Sequence, residues 1–223
     1  MSIDNVLTAI QEWNLARKNP ETARKLLSQG NSFFLEATGS LLPNPDTPSI
    51  PAQPFYHCYF GVENDKLVMF LIHRGLDNEN NKGLETSIVH AKLVQTATPS
   101  AENGTTIPDA EAIERIERWN RMREVWLGQQ IHTPAGVHQA FVIPTIGLEN
   151  GKKYLAFFAM KTKRRFLVAD LVLWDLAPIT PGSPGSVEFK DTVNLFPPFS
   201  DKDELNKDNF QVLKIALPET LAV

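Results

Sequence analysis

Residues 10–17 read IQEWNLAR and residues 116–123 read IERWNRMR, so one frame of isoleucine, tryptophan, asparagine and arginine occurs twice. The chain of 223 residues has only four tryptophans, which makes two matched Trp-Asn pairs a strong sign of an internal repeat. Around the second frame, the apolar residues follow the 3.6-residue period of a helix. We therefore expect each copy to contain a helix built on this frame.

Three further pairs of segments match in the same order downstream. They are 55–64 (FYHCYFGVEN) with 141–150 (FVIPTIGLEN), 67–74 with 154–161, and 91–94 with 169–172. Asn150-Gly151, between two apolar runs, is a strong β-hairpin signal, and Asn64-Asp65 is its weaker counterpart. We predict an α+β fold of two diverged repeats, each with a helix followed by an antiparallel β-hairpin and a further strand. The helices are expected to pack on a mainly antiparallel sheet.

These matches divide the chain into a first repeat (1–98), a second repeat (109–177) and a C-terminal extension (178–223). The offset between matched residues falls from 100 near residue 27 to 86 at residue 55, so the first repeat holds 14 extra residues. They coincide with a proline-rich insertion at about 40–54. In the extension, the short apolar segments 187–189 and 210–215 are expected to be strands at the edge of the sheet.

Charge and cysteine content narrow the classes of partner and compartment. The chain has 22 basic and 26 acidic residues, a net charge of -4, which gives no electrostatic reason to expect nucleic acid or an anionic membrane. No apolar stretch approaches the ~20 residues of a spanning helix, so membrane insertion is not expected. Cys58 is the only cysteine, which precludes an intrachain disulfide and favours the cytoplasm.

The first candidate site lies on the predicted hairpin of the first repeat. With Asn64-Asp65 as a two-residue turn, Tyr56 lies opposite His73, and Cys58 shares a face with His73. A cysteine beside a histidine is the arrangement of an activated nucleophile. Buried packing is the favoured alternative for Cys58, because free cysteine is among the most buried residue types.

No metal or cofactor is predicted from the sequence. The same register places His57 on the opposite face from His73, so these two histidines cannot share a metal ion. No spacing matches a zinc pattern, and the glycine-rich, HExxH and GxSxG motifs are absent from the sequence. An enzyme is therefore not the favoured class.

Two further segments are candidates for binding. Pro48, Pro51 and Pro54 have the spacing that places them on one edge of a polyproline II helix, a form that docks to proteins. Lys163, Arg164 and Arg165 form a basic turn that is suited to a phosphate or an acidic partner. The alternatives are a stiff surface loop for the prolines and simple solvation for the charges.

We predict a non-enzymatic binding or assembly module that engages a protein partner or associates with itself. The alternative is an enzyme or small-molecule binder that uses a crevice between the two repeats, with Tyr56, Cys58 and His73 as its residues. Trp13 and Trp119 could line such a crevice, but core packing in each repeat is the favoured interpretation of both.

Overall fold

The computed structural model describes residues 1–36, 55–77, 88–96, 109–133, 137–144, 148, 151–163, 166–176, 189–190, 194–196 and 210–216. The fold is α+β, as predicted. In this part of the chain the helices are α1 (Ile3–Ala16), α2 (Pro20–Leu27), α3 (Asp109–Gln130) and α4 (Gln211–Ala216). The strands are β1 (Ser32–Glu36), β2 (Phe55–Glu63), β3 (Lys66–His73), β4 (Ile88–Val94), β5 (Ala140–Pro144), β6 (Lys153–Lys163), β7 (Phe166–Asp175), β8 (Phe189–Lys190) and β9 (Asn194–Phe196).

All strands belong to one sheet with the order β8-β7-β6-β1-β4-β3-β2-β5-β9, and every pair of neighbours is antiparallel. Strands β7 and β9, near opposite ends of this order, contact each other. The sheet is therefore curled into a half-barrel. The four strands from residues 1–98 lie side by side in this sheet, flanked by β6 and β7 on one side and by β5 on the other.

The β2–β3 hairpin follows the predicted register. Asn64 and Asp65 form its turn with φ of 49° and 59°, the left-handed values of a type I′ turn. Tyr56 is paired with His73, and His57 with Ile72, which confirms the pairing inferred from the two-residue turn. At α2, the Asn19 side chain accepts hydrogen bonds from the backbone N–H groups of the first turn, and Pro20 starts the helix.

The second hairpin was predicted in the wrong place. Strands β5 and β6, on either side of Asn150-Gly151, are not neighbours: β5 pairs with β2 and β9, whereas β6 pairs with β1 and β7. Gly151 has φ of 80°, so the local turn signal was real. The strand β1, which was not foreseen, takes the edge of β6 that a β5–β6 hairpin would need. The hairpin that forms is β6–β7.

Aromatic side chains fill the interior of the half-barrel. Phe33 lies at the centre, with ring centroids 5.5 Å from Phe60 and 5.3 Å from Phe158. Trp13 packs edge-to-face on Phe60 at 5.6 Å, and Trp119 stacks on Phe158 at 5.0 Å. Both tryptophans are buried, so their interpretation as core residues is confirmed.

The outer face of the sheet is covered in two places. Residues of α1 and α4 pack over the strands β2 and β3, and the first half of α3 packs over β6 and β7. The prediction of a strand at residues 210–215 was wrong, because Gln211–Ala216 is helical and buries Val212, Leu213 and Ala216 on one face. A short apolar run does not distinguish a strand from a helix by periodicity alone. No helix in the described segments is long and apolar enough to cross a membrane.

Candidate functional site

The candidate residues of the first hairpin meet inside the half-barrel. Tyr56 and Cys58 of β2 have no solvent exposure, and His73 at the end of β3 is 3% exposed. The rings of Tyr56 and His73 are edge-to-face, with centroids 5.5 Å apart. Tyr154 of β6 also has no exposure and lies close enough to influence the ionisation of Tyr56.

Burial favours the neutral forms of Cys58 and Tyr56. Burial raises the pKa of the Cys58 thiol well above its ordinary value of 9.0, and the thiolate is the nucleophilic form. The pKa of Tyr56 is also raised, chiefly by burial and then by Cys58 and Tyr154. His73 Nδ1 accepts a hydrogen bond of 3.2 Å from the Gly75 backbone N–H. The geometry places Cys58 as a packed side chain, and a binding role for these residues stays a prediction.

A second polar cluster lies on the opposite face of β2 and was missed in the sequence. The Asp77 carboxylate accepts hydrogen bonds from His57 Nδ1 at 2.6 Å, from the Tyr59 hydroxyl and from the Val212 backbone N–H at 3.0 Å. The three side chains have no exposure, and Phe210 stacks on His57 with ring centroids 4.2 Å apart. Burial, followed by the charge of Asp77, raises the pKa of Tyr59. This cluster fixes residues 210–216 to the sheet.

The outer end of the β6–β7 hairpin is the most exposed apolar feature among the described residues. Strand β1 pairs with β6 only as far as Phe157, whereas β6 and β7 stay paired to Lys163 and Phe166. On this arm Phe166 is 74% exposed and Leu167 is 37% exposed. We call residues 162–167 the hairpin end.

A charge cluster lies at the base of the hairpin end. Asp170 of β7 is 1% exposed. Its carboxylate lies 3.2 Å from Lys161 Nζ and 3.3 Å from Arg115 Nη1 of α3. These contacts tie both strands of the arm to the helix beside them.

The hairpin end includes the predicted basic turn. Lys163 is the last residue of β6, and Arg164 and Arg165 lie outside the described residues. Pro48, Pro51 and Pro54 also lie outside them. The exposed Phe166 was missed, although its signal is present in the sequence: the basic run KRR is followed directly by two large apolar residues.

A groove runs along α1. One part, of about 410 Å³, lies between α1 and the end of β2 and is lined by Asn5, Thr8, Glu12, Val62 and Glu63. The adjoining part, of about 350 Å³, shares Glu12 and Val62 and adds the apolar side chains Leu15, Ala16 and Leu26. We call the two parts together the α1 groove.

Among the described residues, no group of three histidine, cysteine, aspartate or glutamate side chains is arranged to hold a metal ion. The described contacts thus assemble the interior cluster, the Asp77 cluster, the charge cluster at Asp170 and the α1 groove. Comparison of the chain with protein-family models, with curated proteins and with solved structures finds no match.

Proposed function

We propose that the protein is a non-enzymatic binding module that engages an acidic protein surface through the hairpin end. The observation that carries this proposal is the exposure of Phe166, at 74%, beside Lys163, Arg164 and Arg165. Aromatic side chains and arginine are enriched at protein interfaces, where a few residues supply most of the binding energy. We further propose that it acts in the cytoplasm, in keeping with its lone cysteine.

The chemistry of the hairpin end favours a protein partner with a negative charge beside an apolar pocket. Full burial of an exposed phenylalanine contributes about 1.5–3 kcal/mol. The three basic residues stand out in a chain of net charge -4, and they complement an acidic surface electrostatically. The apolar and the electrostatic contributions to binding are each modest, and together they suit a specific but reversible contact.

The two strands that lead to the hairpin end are also held in place before any partner arrives. The paired strands β6 and β7 extend to Lys163 and Phe166, and the Asp170 carboxylate binds both Lys161 and Arg115 at the base of the arm. A preorganised element loses less conformational entropy on binding. This favours a docking role over a simple solvated turn.

The test compares variants of the hairpin end with a matched control elsewhere. Phe166→Ser removes the apolar contact, and Arg164→Glu with Arg165→Glu reverses the charge. Val125→Ser changes another exposed apolar residue, 54% exposed on α3. We expect a protein retained by immobilised wild-type and Val125→Ser chains, eluted by salt, and lost with both hairpin variants. The purified partner should then bind directly with the same pattern.

Two results would overturn the proposal. One is retention of every partner by all of the variants. The other is a wild-type chain that binds vesicles of an anionic phospholipid through Phe166 and binds no protein, since that outcome assigns the hairpin end to a membrane surface.

We also propose that the chain contains two diverged repeats, with a different strand correspondence from the one read in the sequence. The registers in which the strands pair support this correspondence. Tyr56 of β2 pairs with the fourth residue of β5, and Tyr154 of β6 pairs with the fourth residue of β1. Four residues further along these strands, Phe60 packs against Trp13 and Phe158 packs against Trp119, in each case the tryptophan of the preceding repeat helix. In this proposal β2–β3 corresponds to β6–β7, and the short strands β1 and β5 are exchanged between the repeats.

This correspondence draws attention to the hairpin end. The β2–β3 hairpin ends with the pair Glu63–Lys66, which corresponds to Lys161–Val168 in β6–β7. The second hairpin continues for two more pairs, Thr162–Leu167 and Lys163–Phe166. The residues proposed to dock therefore lie in the extension of one repeat. An experimental structure in which the two units fail to superpose in this register would refute the duplication.

A second candidate function is a small-molecule or catalytic site between the repeats. The observation in its favour is that Tyr56 and Tyr154 come together from different halves of the chain, next to Cys58 and His73. Titration of the native protein with a thiol reagent tests it. A Cys58 that reacts only after denaturation excludes a thiol nucleophile there.

A further inference from the structure

The outer face of the sheet is partly open between its two helical covers. Helices α1 and α4 pack over β2 and β3, and α3 packs over β6 and β7, so β1 and β4 lie between them in the strand order. Phe34 of β1 is paired with Leu155, a residue of the outer cluster beneath α3, yet it is 36% exposed. On its other side Phe34 is paired with the exposed Lys92 of β4, so an aromatic ring and a lysine lie side by side on this face.

A pocket of about 410 Å³ lies in this region, and we call it the β4 pocket. It is formed by the β2–β3 turn, the start of β3 and the second half of β4. Its charged and titratable lining residues are Glu63, Lys66, His90 and Lys92, and its apolar lining includes Val68 and Val94. Its volume is within the roughly 300–1,000 Å³ that is typical of small-molecule sites.

Two lysines bring positive charge to the β4 pocket without an ion pair. Lys66 and Lys92 are both exposed, and neither contacts a carboxylate in the described part of the chain. Lys66 is paired across the hairpin with Glu63, but the Glu63 carboxylate lies 3.0 Å from His90 Nε2 instead. The acidic side chain among the described lining residues is therefore already engaged, and both ammonium groups remain available to a ligand.

The histidine of the β4 pocket responds to the charges around it. His90 stacks on Phe70 with ring centroids 5.4 Å apart. Its pKa is lowered from the ordinary value of 6.5, chiefly by burial; Glu63 raises this pKa, whereas Lys92 and the N-terminal amino group lower it. Lys66 adds a further positive charge to the same lining. An anion bound here offsets these positive charges and favours the protonated imidazole.

We propose that the β4 pocket binds a small organic anion, in which a carboxylate or phosphate group is attached to a short apolar chain. The anionic oxygens accept hydrogen bonds from the ammonium groups of Lys66 and Lys92. The apolar chain lies against Val68, towards Phe34. Glu63 repels the anion and limits its affinity. This site is independent of the proposed docking function, because no residue of the hairpin end lines the β4 pocket.

Three simple probes test the chemical class of the ligand. Butyrate and butyl phosphate carry the two anionic groups on the same chain, and butylamine carries a cation on it. Calorimetry on the full chain should give a Kd on the order of 1 mM or tighter for at least one of the two anions, and no binding of butylamine. The anion that binds more tightly identifies the group for which the pocket is built. Amide resonances of β4 should shift with that anion.

Single substitutions then locate the contact. Lys66→Gln and Lys92→Gln should each weaken binding of the preferred anion by about three- to tenfold, because each removes a charged donor. Lys18→Gln is the matched control, since Lys18 is also exposed and has no ion pair among the described residues. Glu63→Gln should strengthen binding, because it removes the repelling charge. Circular dichroism checks that each variant is folded.

The pH dependence gives a readout that a purely structural role would not produce. A carboxylate probe stays ionised well below the ordinary pKa of histidine, so butyrate reports on the protein alone. Because the anion favours protonated His90, binding of butyrate should strengthen as pH falls through the pKa of His90, and His90→Gln should abolish this change.

Three results overturn the inference. One is a wild-type chain that binds neither butyrate nor butyl phosphate. Another is anion binding that is unchanged in both lysine variants, which would place the anion elsewhere. The last is binding of butylamine as tight as that of the anions, since it would show that the butyl chain alone is recognised.

Discussion

Replacing Asp77 by alanine should release the C-terminal segment from the sheet. The carboxylate is fully buried and accepts hydrogen bonds from His57, Tyr59 and Val212, which belong to β2 and to the final helical segment. No other described group accepts hydrogen bonds from all three of these donors. The substitution therefore breaks the polar contact between α4 and the body while leaving the helix sequence unchanged.

The magnitude follows from the number of donors left without an acceptor. A buried donor that loses its partner costs about 1–3 kcal/mol, and Asp77→Ala leaves three such donors without their acceptor. Water can reach the donors once the segment at Phe210 lifts, which limits the loss. We expect Asp77→Ala to lower the free energy of unfolding by about 3–5 kcal/mol, and Asp77→Asn by less, since the amide oxygen still accepts from Val212.

Urea unfolding and amide hydrogen exchange measure the two consequences. The Val212 amide should lose most of its protection in Asp77→Ala, while amides of β3 and β6 keep theirs relative to global unfolding. Asp4→Ala, an exposed acidic residue in the first turn of α1, is the control and should cost less than about 1 kcal/mol. The reasoning is refuted if Asp77→Ala lies within about 1 kcal/mol of wild type and Val212 stays protected.

Four further substitutions test the fold and the ionisation of the core. At Gly30 a Cβ atom would lie 2.6 Å from the Val94 carbonyl oxygen, so Gly30→Ala should lower the free energy of unfolding by more than about 1 kcal/mol. At Gly128 a Cβ atom would meet nothing within 4 Å, so Gly128→Ala should stabilise α3 by up to about 1 kcal/mol. Urea unfolding of both variants checks these two expectations. Asp65→Gly should raise the urea midpoint, because Asp65 has φ of 59°, and an unchanged or lower midpoint argues against turn strain. The unfolded Cys58 thiol ionises near its ordinary value of 9.0, while burial raises the pKa of the folded thiol. The stability advantage of wild type over Cys58→Ala should therefore be complete below pH 9 and shrink as pH rises through it; a constant difference from neutral to alkaline pH contradicts this.

Local signals in the sequence were sufficient for the first hairpin. The two-residue turn at Asn64-Asp65 fixes the register of β2 and β3, because side chains alternate between faces with a period of two. The faces of Tyr56, Cys58 and His57 could therefore be inferred before the structure was known. Trp13 and Trp119 were likewise correctly interpreted as core residues from their matched positions in the two frames.

The arrangement of β1, β5 and β6 could not be inferred in the same way. The strands β1 and β5 are short, the middle of β6 is apolar on both faces, and each of the three has a neighbour in the sheet from a distant part of the chain. A strong turn signal at Asn150-Gly151 predicts a reversal of the chain, but it does not determine which strand will fill the edge beside β6. That edge is occupied by β1, which contributes Phe33 to the centre of the core.

The residues now proposed to matter were hidden for different reasons. Asp77 follows a strand in an ordinary turn, and its partner Val212 lies 135 positions away. Phe166 begins an apolar strand, and alternation alone does not tell which residues extend past the neighbouring strand. Its exposure follows from β1 ending its pairing at Phe157, which is a property of the assembled sheet.

The most direct test of the docking function places a photo-crosslinking phenylalanine analogue at position 166 and, as the control, at position 125 on α3. After irradiation in cells, the account predicts protein adducts from position 166 that disappear with Arg164→Glu and Arg165→Glu, and few from position 125. The mass of the adduct distinguishes a second copy of this chain from another protein. Equal adducts from both positions, or none from position 166, would contradict the proposal that the hairpin end docks to a protein.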